Sequence, residues 1–195
     1  MAGAVNEPQG DASGAETGML LNILKSLVRG RGSVPAHPKE KLAPTLEQGL
    51  ALQAQGQTDA AEAAYRRILI DEPDNVDVAH LLGVLLHSSH RSAEAIPWLE
   101  RVVSLRPVQA EAGLHLGRAY QGAGRLEDAV RAYRACIVLA PDLVAAHVSL
   151  GILLKQQDRL AESRSAFESA LALQPQYAEI WHNLGNLQRD LEDAA

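Results

Sequence analysis

Apolar and polar positions along residues 42–177 follow a helical rhythm that starts again every 34 residues. Within 110–143, Leu116 and Tyr120 lie four apart, one turn of helix, and further on Ala129, Tyr133, Cys136 and Ile137 fall on a single face. Four columns keep the same phase. They are Pro73, Pro107, Pro141 and Pro175; Gly49, Gly83, Gly117, Gly151 and Gly185; Tyr65, Leu99, Tyr133 and Phe167; and Ala61, Ala95, Ala129 and Ser163. A fixed period of this length marks a repeat architecture. The pattern predicts an all-α fold, an α-α superhelix of about four and a half helix-turn-helix repeats: 42–75, 76–109, 110–143, 144–177 and a half-repeat 178–195. Each unit is a pair of antiparallel helices, A and B. Two helices cannot bury both of their apolar faces alone, so stacked neighbours complete the core.

The columns carry a local logic. Pro141 disfavours a helical residue before it and cannot donate to a helix ladder, so helix B of the third repeat ends near 139–140. Asp142 is placed to accept from the free N–H groups of the next helix. "GAGR" at 122–125 turns the chain between A and B. Gly117 lets the two backbones approach, Ala129 fills the facing position with one methyl, and the Tyr133 ring is expected in the gap between repeats. In "SAEAIPWLERVV", a capping Ser92 puts Pro97 just past the first turn, which predicts a mild kink.

The chain ahead of the repeats differs in kind. Residues 1–16 are small and polar and predict a disordered tail. In 17–29, "TGMLLNILKSLVR", Leu20, Ile23, Leu24, Leu27 and Val28 form an apolar stripe at helical spacing, and 30–41 has the glycine and proline content of a linker. The amphipathic segment is expected to cap the first repeat or to dock within the chain. Its basic residues Lys25, Arg29 and Arg31 are too few to favour a membrane surface.

The small and aromatic positions in "GRLEDAVRAYRACIVLAP" resemble those of the tetratricopeptide repeat (TPR) family, and the likeness covers 42–177 as four repeats plus the first helix of a fifth. The resemblance implies a TPR solenoid over 42–195 whose A helices line a concave, ligand-holding groove. On that pattern the groove residues are Leu46, Leu50 and Gln53; His80, Leu81, Val84 and His87; Leu114, His115, Arg118 and Gln121; Val148, Ser149, Ile152 and Lys155; and His182, Asn183, Asn186 and Arg189. The groove is then apolar at its start and middle, and polar with cations toward its C-terminal end. Such a surface suits an amphipathic helix or an extended peptide with apolar anchors. For each leucine or valine the alternative is a place packed between adjacent A helices. Relatives that clamp a carboxylate use lysine, asparagine and arginine where this chain has Leu46, Leu50, Leu81, Glu111 and His115, so that clamp is missing. Of the asparagine ladder found in protein O-GlcNAc transferases only Asn183 matches, the equivalents being Glu47, Leu81, His115 and Ser149.

Composition narrows the function further. The 195 residues are 47% hydrophobic and carry a net charge of −6 without a basic stripe, which argues against a nucleic-acid partner. A single cysteine, Cys136, allows no intrachain disulfide, and its column of Ile68, Val102 and Ala170 marks it as a small core residue. No apolar run reaches bilayer length and the start lacks a basic n-region, so a cytoplasmic protein is expected. His80, His87 and His90 lie near one another in sequence but lack the further ligands a zinc site needs, and are expected to be solvated or turn histidines. His115 and His147 have no matching nucleophile, and no phosphate loop, nucleophile elbow or HExxH pattern is present. No catalytic residue, metal or cofactor is expected.

The sequence therefore predicts a protein–protein interaction scaffold that binds a peptide or helix in its groove. The alternative is the non-catalytic, substrate-recruiting front end of a larger enzyme. "AYRRILIDEPDNVDVAHLLGVLLH" is similar to repeats that precede transferase modules of the O-GlcNAc transferase or sulfotransferase type, and "LGNLQRDLEDAA" breaks the period near the chain end.

Overall fold

The computed structural model describes residues 44–193, with side chains described as far as Arg189; the expected tail at 1–16, amphipathic helix at 17–29 and linker at 30–41 lie outside the described residues. Among the described residues nine helices and no strand occur: α1 (Leu46–Ala54), α2 (Thr58–Asp71), α3 (Val76–Ser88), α4 (Ser92–Leu105), α5 (Ala110–Gly122), α6 (Leu126–Leu139), α7 (Val144–Gln156), α8 (Leu160–Leu173) and α9 (Ala178–Asp193). The odd-numbered helices are the A helices and the even-numbered ones the B helices. The fold is an all-α solenoid of stacked helix pairs.

Two kinds of connection punctuate it. Between A and B, three residues suffice, and the middle one takes a left-handed conformation: Gly56, His90, Gly124 and Asp158, with φ between 60° and 76°. Glycine adopts this backbone freely, and His90 and Asp158 are of the types that best tolerate it. Between B and A, the residue before each proline (Glu72, Arg106, Ala140, Gln174) leaves the helix for an extended ψ near 70–84°, as the proline ring requires. Helix α6 accordingly stops at Leu139.

Each A–B pair is locked by a glycine and a bulky side chain. A Cβ added at Gly49 would lie 2.5 Å from Tyr65 Cε1; at Gly83, 2.6 Å from Leu99 Cγ; at Gly117, 2.4 Å from Tyr133 Cε1; at Gly151, 2.8 Å from Phe167 Cε1. The bulky group thus rests on the glycine of its own repeat, and the Tyr133 ring also clusters with Ala146 and Leu150 of the next repeat, at the gap expected for it. Ala61, Ala95, Ala129 and Ser163, one turn earlier on the B helices, are fully buried. Ser163 Oγ donates to the Gly151 carbonyl at 2.7 Å, which satisfies the only hydroxyl in that column.

Two local expectations are corrected. Ser92 does not cap α4: Arg91 is the N-cap and Ser92 the first helical residue, where its Oγ pairs with His87 Nδ1 at 3.0 Å. Asp142 does not cap α7, whose N-cap is Leu143 with no side-chain bond. In both helices the N-cap falls one residue away from the polar group, because the proline-led and three-residue turns fix where helical φ/ψ begins. Pro97 lies inside α4 with its ring exposed and does not end the helix.

Consecutive helices pack throughout, and α3 also touches α5, α5 touches α7, and α7 touches α9, whereas successive B helices make no comparable contact among the described residues. The A layer therefore lies on the inside of the stack's curve and the B layer is splayed outside. Ion pairs cross from repeat to repeat, Arg91–Glu62 at 2.6 Å, Arg101–Asp74 at 2.6 Å and Arg134–Glu162 at 2.7 Å, and Arg106–Asp77 at 2.5 Å ties the end of the second repeat to its own first helix. All involve exposed arginines whose charges water screens, so the stack is held by its buried side chains rather than by these pairs. Cys136 is one of these, its thiol donating to the Ala110 carbonyl at 3.1 Å and burial pushing its pKa up to about 11.

Candidate functional site

The inner surface is built from one turn after another of the A helices. On α1, Leu46 and Gln53 are half-buried and Leu50 is exposed; on α3, His80, Leu81, Val84 and His87 are all half-buried. On α5, Arg118 is exposed, His115 and Gln121 half-buried, and Leu114 buried; on α7, Ser149, Ile152 and Lys155 are half-buried and Val148 buried. On α9, Asn183 and Asn186 are half-buried and His182 and Arg189 exposed. Leu114 packs with Tyr133 and Ala146, and Val148 with Phe167 and Ile180, so both serve chiefly as core. Of the groove residues named from the repeat pattern, the apolar side chains that reach solvent are Leu46, Leu50, Leu81, Val84 and Ile152.

Side-chain hydrogen bonds order the polar floor. Tyr65 OH donates to Gln53 Oε1 at 2.7 Å and Tyr133 OH to Gln121 Oε1 at 3.0 Å. Gln121 Nε2 in turn reaches Gln156 Oε1 on α7 at 3.0 Å. Each tyrosine that sits on a glycine thus also fixes a groove glutamine of its own repeat. The signal was present in the columns, because glutamine stands at 53 and 121 where the lock is tyrosine, and His87 and Lys155 stand there where it is Leu99 and Phe167.

At the centre, His80 Nε2 lies 2.7 Å from His115 Nδ1, with ring centroids 4.9 Å apart. One ring nitrogen carries the shared proton and the other accepts it, an arrangement that needs at least one neutral imidazole. Burial, then the positive charges of His80, Arg118 and His87, push His115 down to about 4. Burial also lowers His80, against the opposing pull of Glu111 and Asp77, and lowers His87, with Arg118 and His90 acting the same way. His90 itself occupies the left-handed turn position, and Asn186 Nδ2 lies 2.9 Å from His182 Nε2.

A pH dependence follows. With folded-state pKa values below the ordinary histidine range, the unfolded chain binds more protons than the folded one as pH drops below about 6.5. Stability is therefore full above that value and declines on acidification toward 5, before the carboxylates begin to protonate. Thermal melts from pH 7.5 to 5 are expected to show this decline in the parent chain and a shallower one in His80→Asn/His115→Asn. Equal slopes would remove the pair as its source.

Toward the C-terminal end the groove deepens into a hollow of about 420 Å³ lined by Arg118, Leu143, Val144, Ala145, Val148, Ser149, Ile152, Gln174, Tyr177 and Glu179. It gathers Arg118, Val148, Ser149 and Ile152, named from the repeat pattern, and adds the loop residues Gln174 and Tyr177 and the first-turn Glu179. Those three escape a reading confined to helix faces, because the link between repeats folds over the groove edge.

The tetratricopeptide repeat family model matches residues 46–110, 114–178 and 149–195. No curated protein matches the chain by sequence. Among solved structures, a crystal structure of MamA is similar at a TM-score of 0.71 and 24% identity, over 74% of this chain and 84% of that one. MamA from Desulfovibrio magneticus RS-1 is similar at a TM-score of 0.65 and 26% identity, over 66% and 73%. A further MamA structure reaches 27% identity at a TM-score of 0.64, over 68% and 78%.

Proposed function

We propose that this chain, a protein–protein interaction scaffold of the tetratricopeptide repeat family, binds a peptide or short helix of a partner protein on its A-helix layer. The observation that carries this reading is the run of partly exposed Leu46, Leu50, Leu81, Val84 and Ile152 along one layer, leading into the hollow beside Arg118 and Tyr177. Apolar anchors on the partner would bury against the run, while its polar groups meet Ser149, Arg118 and Lys155 at the deeper end. His80, His87, His115, Asn183 and Asn186 border this track, whereas Leu114 and Val148 support it from beneath. A cytoplasmic setting belongs to the same reading.

Selection of peptides from a displayed random library on the full chain, followed by calorimetry, tests the proposal. Selected peptides are expected to lose affinity by about 30-fold or more against Leu81→Asp/Ile152→Asp, with circular dichroism confirming that the variant remains folded. Peptides that bind parent and variant equally would place the binding surface elsewhere.

A further inference from the structure

Outside the groove track, one face of α8 and α9 is covered by no other helix among the described residues. In four repeats the glycine of helix A meets a side chain from helix B, whereas a Cβ at Gly185 would meet nothing within 4 Å. The space is a hollow of about 450 Å³ whose lining includes Arg164, Glu168, Leu171, Trp181, Leu184 and Gly185. Trp181 is 56% exposed, and its indole N–H donates to the Pro175 carbonyl at 2.8 Å, which fixes the ring's position. The equivalent residue one repeat earlier, His147, bonds the Pro141 carbonyl at the same 2.8 Å but is buried.

We infer that a second copy of this chain docks on this face, through a two-fold, antiparallel pairing of the α9 helices. Ala178, Trp181, Gly185 and Gln188 follow one another at spacings of three, four and three, which puts them on one stripe of the helix. The stripe is symmetrical about residue 183, so reversing one helix against another sets Trp181 of one protomer over Gly185 of the other, and Gln188 over Ala178. Large meets small at every one of the four contacts. The empty place at Gly185 is the kind of hole that a tyrosine, leucine or phenylalanine fills in each preceding repeat, and Trp181, held one turn away, is a ring of the same class. The rim is self-complementary as well: Arg164 and Glu168 stand one turn apart with opposite charges, so an antiparallel copy presents unlike charges to them. This surface is separate from the groove, and its test does not depend on a peptide ligand.

Sedimentation equilibrium of the full chain, from micromolar to hundred-micromolar concentration, reads the association directly. A reversible monomer–dimer equilibrium is expected, with the dimer weakened about 30-fold or more by Trp181→Ala. Gly185→Phe is expected to abolish the dimer while leaving helix content intact, because the added ring has room within its own protomer and occupies the partner's place. In a Trp98→Phe background, the fluorescence of Trp181 shifts to the blue as the dimer forms. A monomer at every concentration would overturn the inference, and so would a dimer that survives both Trp181→Ala and Gly185→Phe.

Discussion

Replacing Tyr133 by alanine is expected to lower the free energy of unfolding by about 3–5 kcal/mol, the range for removing a large ring from a packed core. The ring is fully buried, rests on Gly117, and shares a core cluster with Leu114, Ala146 and Leu150, so its loss opens both the A–B contact of the third repeat and the contact with the fourth. Burial holds the phenol's pKa up at about 12, so it stays protonated and donates to Gln121 at every physiological pH. Tyr133→Phe removes only that donor and is expected to destabilise by about 1 kcal/mol. Urea denaturation of the two variants checks the pair. A Tyr133→Ala midpoint no lower than that of Tyr133→Phe would show that the ring does not hold the repeats together.

Gly117→Leu tests the other half of the lock and is expected to destabilise by about 1–3 kcal/mol or more through overpacking. Its Cβ would come within 2.4 Å of a ring that is packed on every side, so the ring or helix α5 must move. Gly185→Leu is the control in the same column: nothing lies within 4 Å, and at low protein concentration the gain in helix propensity, somewhat less than the roughly 0.8–1 kcal/mol that separates glycine from alanine, is the dominant effect. Opposite signs at the two glycines, measured by urea midpoints, are the expected result. Similar losses at both would mean that the helix itself, rather than the ring opposite, demands glycine.

The period was legible because each column is a steric requirement repeated in phase, and chance does not reproduce it. That Gly117 faces the Tyr133 ring rather than Ala129 was less legible, because Ala129 and Tyr133 stand on one face of the same helix. Turn geometry was less so: a left-handed residue is signalled by Gly56 and Gly124, but His90 and Asp158 take the same conformation without a glycine to mark them. Ser92 resembles a cap by residue type, yet its hydroxyl is engaged by His87, a contact between two helices that local pattern does not encode. The site shows the same division. Leu81 and Ile152 share the apolar character of Leu114 and Val148, and only the packing of neighbouring A helices separates those that reach solvent from those that support them. His80 and His115 occupy different columns 35 residues apart and meet because adjacent A helices are offset by one position. The tyrosine–glutamine pairs, by contrast, stood in the columns as a matched substitution.

The most direct measurement places a photo-crosslinking amino acid at Ser149, on the inner layer, and in a second sample at Ser165, on the outer layer, with a selected peptide present in both. Labelling of the peptide from Ser149, and its absence from Ser165, is the outcome for a scaffold that receives its partner along the A helices. Labelling from Ser165 with none from Ser149 would mean that the partner is held by the B helices, and that the inner face has another purpose.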